Sequence, residues 1–148
     1  MAEEHAIQLD DAGRPWVAAR FRVRYFETDC MGIVHHAAYV TWFEEGRSAF
    51  TRALGYSYAQ MEADGIGLAV SELSARYLAP ARYDEEVTVV TRLDALRSRE
   101  LVFSYEVQRS ADAQTLATGM THMISIDAQG RVRSLPAKLQ TLTRGLTK

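Results

Sequence analysis

Residues 25–36 read Tyr25-Phe26-Glu27-Thr28-Asp29-Cys30-Met31-Gly32-Ile33-Val34-His35-His36. Before this stretch, apolar residues and arginines alternate from Arg20 onward, a period of two that predicts a half-buried strand. After it, large apolar residues recur every three or four positions as far as Leu54, which predicts one face of a helix. The stretch therefore joins a strand to a helix. It brings a carboxylate, a glycine and two imidazoles to the first helical turn, whose free N–H groups attract negative charge and can polarise a carbonyl.

The helix after this junction is predicted to begin at His36 or Ala37 and to end at Leu54, because glycine, here Gly55, commonly follows the last residue of a helix. Its apolar face is wide enough to predict a largely buried helix and includes Tyr39, Trp42, Phe43 and Phe50. Gly46 lies in mid-helix, where glycine costs about 1 kcal/mol relative to alanine. We therefore expect another backbone to cross closely at Gly46.

Extended segments dominate the rest of the chain. Residues 16–26 precede the helix; after a short helical segment at 58–63, strand patterns cover residues 66–78, 87–96, 101–108 and 115–126, with a short strand at 131–133 and a helical turn at 136–139. The short links favour antiparallel neighbours, because a parallel crossover needs about a dozen residues or more. Residues 1–15 show neither period and are predicted to be an N-terminal tail. The sequence predicts a single α+β domain over residues 16–148, with a sheet around one long helix.

Composition narrows the class of protein. With 148 residues and 47% hydrophobic content, the chain is long enough for one domain with a substantial core. A net charge of -2 and a pI near 6.1 argue against a nucleic-acid partner, which a basic protein would suit better. The single cysteine permits no internal disulfide, and no apolar run approaches the roughly 20 residues of a membrane helix. We expect a soluble cytoplasmic protein without membrane insertion.

Two segments carry a recognisable pattern. One is Tyr25-x-Glu27-Thr28-Asp29-x-Met31-Gly32-x-Val34-x-His36-x-x-Tyr39, followed by Trp42-Phe43-Glu44-x-x-Arg47; the other is Tyr77-Leu78-Ala79-Pro80-Ala81-Arg82-Tyr83-Asp84. Over residues 18–140 the chain resembles the hotdog-fold acyl-CoA thioesterases, in the branch that contains the 4-hydroxybenzoyl-CoA and Tol-Pal-associated thioesterases. The resemblance implies a curved antiparallel sheet wrapped around the central helix. It also implies a homodimer or homotetramer that binds its acyl thioester at the subunit interface.

The resemblance also implies roles for individual residues. Asp29 matches the catalytic carboxylate of the family, and His36 matches the position at the helix start whose backbone N–H faces the thioester oxygen. Tyr25 matches a tyrosine that is implicated in some members. The loop differs from some relatives, which have proline, alanine or glycine where this chain has Cys30 and Met31.

The chemistry of thioester hydrolysis fits these residue types. It requires an activated nucleophile and a group that stabilises the negative oxygen of the transition state. Asp29 can deprotonate water or attack the carbonyl directly, and the sequence leaves both routes open. Gly32 allows a tight turn and a close approach of substrate. A helix-end N–H aimed at the oxyanion is typically worth about 10²–10³ in rate.

Further residues are expected to contact the substrate. They are Gly32, Val34, His35, Tyr39, Arg82 and Arg99, of which the two arginines lie in turns and can hold coenzyme A phosphates. No H-x-x-x-H or C-x-x-C spacing appears, so we predict neither a metal nor another cofactor.

Each of these residues also has an ordinary structural interpretation. Asp29 can simply cap the helix or a turn, and Tyr25 can be the last inward residue of the first strand. The arginines can be solvated turn charges. Cys30 is expected to be a small buried residue rather than a nucleophile, and His122 a hydrogen-bonded sheet histidine. Glu44 is expected to pair with Arg47 one helical turn away.

These observations together predict an acyl-CoA thioesterase that releases a free acid and coenzyme A, and an acyl carrier protein is an alternative donor of the acyl group. Two other functions remain open. One is a non-catalytic module that binds acyl thioesters. The other is an enoyl-thioester hydratase on the same fold, although its D-x-N-P-x-H pattern is missing here.

Overall fold

The computed structural model describes residues 6–146. Within them a 3-10 turn at Tyr25–Glu27 precedes the main helix. The strands and α-helices, in chain order, are β1 Gln8–Leu9, β2 Pro15–Arg22, α1 His36–Leu54, α2 Tyr58–Ala63, β3 Gly67–Tyr77, β4 Glu86–Leu96, β5 Glu100–Arg109, β6 Thr115–Ile126 and α3 Ala137–Gly145.

The described strands form one antiparallel sheet in the order β1-β2-β4-β5-β6-β3. Helix α1 packs against β2, β4 and β5. Its side chains Trp42, Phe43 and Phe50 are completely buried and form the centre of the core. The predicted α+β architecture, an antiparallel sheet around one long helix, is confirmed.

Gly46 lets α1 lie close against β4. A Cβ atom added to Gly46 would overlap the Thr91 hydroxyl and would lie 3.0 Å from Val89 Cγ1. β4 therefore packs closely at Gly46, but the atoms nearest to an added Cβ belong to the side chains of Thr91 and Val89 rather than to the backbone that we expected. Gly119 of β6 has a similar role, because a side chain at that position would overlap the Phe43 ring.

The predictions were wrong at both ends of β2. The strand expected over residues 16–26 ends at Arg22, and Tyr25 is 77% exposed rather than inward-facing. The chain turns early because Glu27 accepts hydrogen bonds from Arg24 N–H and from the Trp42 side chain of α1. The expected tail contains β1, which pairs with residues 15 and 16 of β2. Residues 1–5 of that tail lie outside the described residues.

The C-terminal predictions also needed correction. The strand expected at 131–133 is a single bridge between Ile126 and Val132. The helical turn expected at 136–139 continues as α3, whose buried Leu139 anchors it on the core.

The two edges of the sheet differ. β3 is paired on one side only, with β6, and none of its 11 residues is buried. Its exposed residues include Val70, Leu73 and Tyr77. The other edge is β1, which has only 2 residues. Among the helices of residues 6–146, none combines the length and hydropathy that crossing a bilayer requires.

Candidate active site

The loop between the 3-10 turn and α1 holds Asp29 in a fixed position. Asp29 N–H donates to the Ile33 carbonyl at 2.8 Å, and Gly32 N–H donates to the Asp29 carbonyl at 3.0 Å. Gly32 has a φ of 77°, in the left-handed region that glycine adopts without strain. Met31 N–H donates to Asp29 Oδ1 at 2.8 Å. Asp29 Oδ2 accepts no hydrogen bond from any residue within 6–146, so the carboxylate is oriented while one oxygen stays free.

Glu27 holds both ends of this loop, a role that the sequence analysis missed. The residue is 5% exposed. Glu27 Oε2 accepts from Trp42 Nε1–H at 2.6 Å, Oε1 accepts from Arg24 N–H at 2.7 Å, and its carbonyl accepts from His35 N–H at 2.8 Å. No local spacing in the sequence indicates this role, because Trp42 follows Glu27 by 15 positions. Glu27 thus connects the 3-10 turn, the middle of α1 and the residue just before α1.

The start of α1 presents one free donor. His35 is the N-cap: its Nδ1 accepts from Ala37 N–H at 3.0 Å, and its carbonyl accepts from Ala38 N–H at 3.0 Å. The backbone N–H of His36 donates to no residue of the described chain. Because it lies at the N-terminus of a helix of 19 residues, this N–H points where the helix dipole favours negative charge.

A cleft of about 400 Å³ lies between the Asp29 loop, the start of α1 and the segment after β3. Two hydrogen bonds join these elements: Val34 N–H donates to the Ala81 carbonyl at 2.9 Å, and the Tyr77 hydroxyl donates to the His36 carbonyl at 2.8 Å. The cleft is lined by Asp29, Met31, Ile33, Val34, His36, Tyr39, Tyr77, Leu78, Ala79 and Pro80. Tyr77, which the sequence analysis named only as part of a motif, is therefore a second residue that it missed.

Four of the predicted site residues meet on this cleft: Asp29, His36, Val34 and Tyr39. Burial raises the pKa of Tyr39, although a hydrogen bond from the backbone of Ala81 acts in the opposite direction. Tyr39 is therefore a neutral phenol at ordinary pH and is unsuited to act as a base. Asp29 is the only carboxylate among the lining residues.

The remaining predicted residues lie beside the cleft or away from it. Tyr25 is on the surface, where its ring contacts the Tyr83 ring edge-on at 5.5 Å. Gly32 shapes the loop, and His35 caps α1 with its ring stacked on that of His36 at 4.1 Å. Cys30 is exposed, contrary to our expectation that it would be buried.

The two arginines expected to bind phosphates occupy different ends of the sheet. Arg82 is exposed and follows Ala81, next to the cleft. Arg99 precedes Glu100, which pairs with Ile124 of β6, whereas Tyr77 pairs with Ala117. Ala117 and Ile124 are seven residue steps apart on β6, a distance of about 24 Å. Arg99 is therefore remote from the cleft of its own chain.

A second cavity, which we call the polar pocket, has a volume of about 240 Å³ and lies farther along α1. Arg47 is 8% exposed, and no carboxylate of residues 6–146 comes within the 4.0 Å that defines an ion pair. The predicted Glu44–Arg47 pair was therefore wrong, because Arg47 faces inward beside Tyr58 and Tyr105 while Glu44 is exposed. The pocket is lined by Glu44, Arg47, Ser48, Tyr58, Glu62, Ile66, Leu68 and Met123.

The outer face of the sheet holds His122. His122 Nδ1 lies 2.5 Å from Glu100 Oε1, which agrees with the prediction of a hydrogen-bonded sheet histidine. Within residues 6–146, no three His, Cys, Asp or Glu side chains come together as a metal-binding group.

Comparison with known proteins gives consistent matches. The sequence profile of the thioesterase-like superfamily matches residues 23–142. The putative acyl-CoA thioesterase YneP of Bacillus subtilis is 35% identical over 101 residues, which are 68% of this chain and 73% of the relative. The crystal structure of the hypothetical protein TT1821 from Thermus thermophilus superposes with a TM-score of 0.82 at 38% identity, over 87% of this chain and 98% of that one. The DHNA-CoA thioesterase of Staphylococcus aureus also superposes with a TM-score of 0.82, at 30% identity over 88% and 92% of the two chains.

Proposed function

The chain belongs to the thioesterase-like superfamily and is a thioester hydrolase, and on this premise we propose that it cleaves acyl-CoA to a free acid and coenzyme A with Asp29 as the catalytic carboxylate. One observation carries the proposal. Among residues 6–146, a carboxylate oxygen of Asp29 without a hydrogen-bond donor and the backbone N–H of His36 without an acceptor belong to residues that line the same cleft.

The proposed reaction divides the chemistry between these two groups. The thioester oxygen accepts from His36 N–H, which stabilises the negative charge that develops on it. Asp29 takes a proton from water as the water oxygen bonds to the carbonyl carbon, and the C–S bond then breaks to release the thiol, which regains that proton. In the alternative route Asp29 attacks the carbonyl carbon itself, the C–S bond breaks to release the thiolate, and water then hydrolyses the resulting anhydride and supplies the proton of the thiol. Both routes require the free Oδ2.

The aromatic residues of the cleft support this arrangement. The Tyr77 hydroxyl holds the His36 carbonyl, which fixes the peptide next to the proposed oxyanion donor. Tyr39 and Leu78 contribute apolar surface that excludes water from the thioester. A donor that is already oriented costs no reorganisation during the reaction.

We also propose that the protein is at least a homodimer in which two copies of β3 pair antiparallel. β3 is a long edge strand with unpaired backbone groups and exposed apolar side chains, the kind of edge that favours pairing. We propose that the two copies of β3 pair over their full length about a two-fold axis, which would place Gly67, the first residue of β3, opposite the partner's Tyr77. The cleft ends at Tyr77, so the partner subunit would close it.

This pairing suggests how the arginines take part. Arg82 is exposed next to the cleft and suits the phosphates of coenzyme A. Arg99 lies near Ser125, at the end of the sheet where β3 begins, because Ser125 N–H donates to its carbonyl at 3.0 Å. Antiparallel pairing would therefore bring Arg99 toward the partner's cleft rather than its own.

Incubation with a panel of acyl-CoAs and a thiol-trapping dye tests the function. We expect release of free coenzyme A at a rate that depends on enzyme concentration. Loss of enoyl absorbance without thiol release would instead indicate a hydratase, and binding without turnover would indicate a binding module. Either result would contradict the proposed function.

A further inference from the structure

The segment between β3 and β4 is bonded to both halves of the proposed catalytic pair. Residues 77–81, which we call the wall segment, include four of the residues that line the cleft. The Tyr77 hydroxyl donates to the His36 carbonyl at the start of α1, and the Ala81 carbonyl accepts from Val34 N–H at the end of the loop that carries the proposed catalytic carboxylate. The wall segment therefore sets the position of that loop relative to the start of α1.

The wall segment has little support from regular structure, because residues 78–81 lie outside the strands. Leu78 N–H and Ala79 N–H both donate to one carbonyl of β6, that of Leu116, at 2.8 and 3.1 Å. Pro80 has no N–H and cannot donate to the sheet. The far end of the segment therefore depends on contacts outside the sheet for its position.

Arg109, the last residue of β5, supplies such a contact. Its Nη2 donates to the Pro80 carbonyl at 3.1 Å, and its Nε donates to Glu85 Oε2 at 2.6 Å. Its Nη1 donates to Gln114 Oε1 at 2.6 Å and to Asp112 Oδ2 at 3.2 Å. Because the N–H groups of a guanidinium lie in one rigid plane, Arg109 fixes the wall segment relative to the residue before β4 and to the turn after β5.

Glu85 extends this network to the residue directly after the wall segment. Its Oε1 accepts from Arg82 N–H at 2.6 Å, while its Oε2 accepts from Arg109. The guanidinium holds the backbone at Pro80, and the carboxylate holds it at Arg82. The two side chains together therefore fix the backbone on both sides of Ala81, whose carbonyl bonds to the catalytic loop.

The surroundings of Arg109 favour this role over direct binding of an anion. A guanidinium has five N–H groups, and Arg109 makes four hydrogen bonds to other residues of the described chain. Two carboxylates, those of Glu85 and Asp112, offset its charge. Little of its charge or donor capacity is therefore left for the phosphates of coenzyme A.

The network is too exposed to contribute much to the stability of the fold. The side chains of Arg109 and Glu85 are 21% and 26% exposed, and ion pairs that water reaches add little to the free energy of unfolding. Turnover is far more sensitive to position, because a displacement of about 1 Å can lower a rate by about 10²-fold. Loss of the network should therefore affect turnover more than folding.

We propose that Arg109 is a positioning residue of the active site. With Glu85 it holds the wall segment in place, and the wall segment keeps the Asp29 carboxylate and the His36 N–H aimed at one thioester. Arg109 acts through the backbone of the wall segment and does not touch the substrate. This inference rests on the proposed function.

Steady-state kinetics of thiol release test this role, with whichever acyl-CoA of the panel the wild type hydrolyses fastest. We expect Arg109→Gln to lower kcat by about 10- to 100-fold and to change KM by less than about 3-fold, because the reacting groups are displaced while the binding surface remains. Arg109→Lys keeps the charge without the planar fork, so it should recover part of kcat.

Arg92→Gln is the matched control. Arg92 forms an ion pair with Asp10 at 2.9 Å and its side chain is 27% exposed, close to the exposure of Arg109. It pairs with Ser104, which is five residue steps from Arg109 on β5, a distance of about 17 Å. We expect Arg92→Gln to keep the wild-type kcat and to have a melting temperature similar to that of Arg109→Gln.

A truncated substrate separates positioning from phosphate binding. The acyl-pantetheine with the same acyl group lacks the phosphates and the nucleotide of coenzyme A. If Arg109 positions the wall segment, Arg109→Gln should lower kcat/KM for this substrate by the same factor as for the acyl-CoA. A loss confined to the acyl-CoA, or a loss that appears in KM alone, would overturn the inference.

A double variant tests whether the two side chains act as one unit. Glu85→Gln keeps an oxygen for Arg82 N–H but removes the charge that pairs with Arg109. We expect it to lower kcat as Arg109→Gln does, and the double variant should lose little more than either single variant. Losses that multiply would show two independent effects and would overturn the shared role.

The remaining outcomes separate the inference from the function on which it rests. No thiol release from any acyl-CoA by the wild type would contradict the proposed function. Thiol release with the same kcat in wild type and Arg109→Gln would overturn the inference alone. A lower kcat that a smaller folded fraction explains, as measured by thermal melting, would show a structural role only and would also overturn it. If Arg109→Gln does not fold, Arg109→Lys and Glu85→Gln carry the test.

Discussion

At the scale of single residues, the proposed reaction depends on the carboxylate of Asp29, which its loop orients through Met31 N–H. Asp29→Asn retains the oxygen that accepts Met31 N–H, so the loop should persist while the base or nucleophile is lost. We expect kcat to fall by about 10²–10⁴ in the thiol-release assay, the span usual for a lost general base. Asp11→Asn, in the exposed turn before β2, is the matched control and should keep wild-type turnover. A folded Asp29→Asn protein with normal kcat would refute the assignment.

Glu27 gives a stability prediction at the same scale. Glu27→Ala removes the acceptor of the buried Trp42 Nε1–H and of Arg24 N–H. The free energy of unfolding, measured by urea titration, should fall by about 1–3 kcal/mol for each donor left unpaired. Removing the indole donor as well should recover part of that loss, so Trp42→Phe should cost less in the Glu27→Ala background than in the wild type. Additive losses in this cycle would show that the two side chains are not coupled.

The site residues that the sequence analysis identified lie close together along the chain. The residues that it missed are brought to the site by hydrogen bonds between distant positions. Asp29 and His36 belong to one short stretch, so local spacing sufficed to bring them together. Glu27 bonds to Trp42, 15 positions away, and Tyr77 bonds to His36, 41 positions away. Spacing carries no signal for such contacts. Arg47 was misjudged for a related reason: an i+3 neighbour predicts an ion pair, but burial turned the guanidinium inward.

At the scale of elements, the close packing of α1 on β4 leaves no room for a side chain at Gly46. Gly46→Ala improves helix propensity, yet its methyl group would overlap the Thr91 hydroxyl. We expect the free energy of unfolding to fall by about 1–3 kcal/mol, the usual cost of overpacking. Thr91→Ala should rescue this variant in a urea titration, since Thr91 Oγ1 is buried without a hydrogen bond and its loss costs little. If Thr91→Ala does not restore the free energy of unfolding, the overlap with Thr91 is not the cause of the loss.

The turns between strands give a prediction about acid. Asp127 accepts backbone N–H bonds from Arg131 and Gln129, and the bond from Arg131 is the main reason that its pKa lies below the ordinary 3.8. Asp10 and Asp112 have lowered pKa values for the same kind of reason. A lowered folded-state pKa stabilises the protein above the unfolded-state pKa, and this contribution is lost as pH falls through the folded-state value.

The melting temperature of the wild type should therefore fall as the pH drops from about 4 through the lowered folded-state pKa values. Asp127→Asn should show a smaller fall over this range, because its turn no longer depends on ionisation. Asp11→Asn, which removes a carboxylate that accepts no hydrogen bond from residues 6–146, should follow the wild type. If the melting temperatures of all three proteins fall equally with pH, the proposed role of the Asp127 carboxylate is wrong.

The elements from α1 to β6 were each predicted to within one residue at both ends. α2 and β6 have the predicted bounds, α1 begins at one of the two expected residues, and Gly55 has the left-handed φ of 92° that a helix-ending glycine adopts. β1 was missed because a strand of 2 residues has no measurable period. β2 ends earlier than predicted because Glu27 accepts a hydrogen bond from Trp42 of α1. Local periodicity gives no indication of a bond between positions so far apart.

At the scale of the whole molecule, the exposed edge of β3 predicts that assembly and activity are coupled. Leu73→Lys places a charge in the middle of β3, where the proposed partner strand would cover it. Sedimentation velocity at micromolar concentration should show a wild-type dimer or larger species and a shift of Leu73→Lys toward monomer with loss of turnover. Leu9→Lys, the same change on the opposite edge, should resemble the wild type. A fully active wild-type monomer would contradict the dimer.

The unequal edges of the sheet have a further consequence. β1 has only 2 residues, and Asp10, which follows it, forms ion pairs with Arg14 and Arg92. The short β1 edge, with charged side chains beside it, has few unpaired backbone groups for another strand to bind, whereas β3 has many. We therefore expect each subunit to pair with a strand of another molecule at β3 and not at β1. We therefore expect the proposed self-pairing of β3 to stop at a dimer rather than to extend into a fibre, because β1 offers no comparable edge for a further strand.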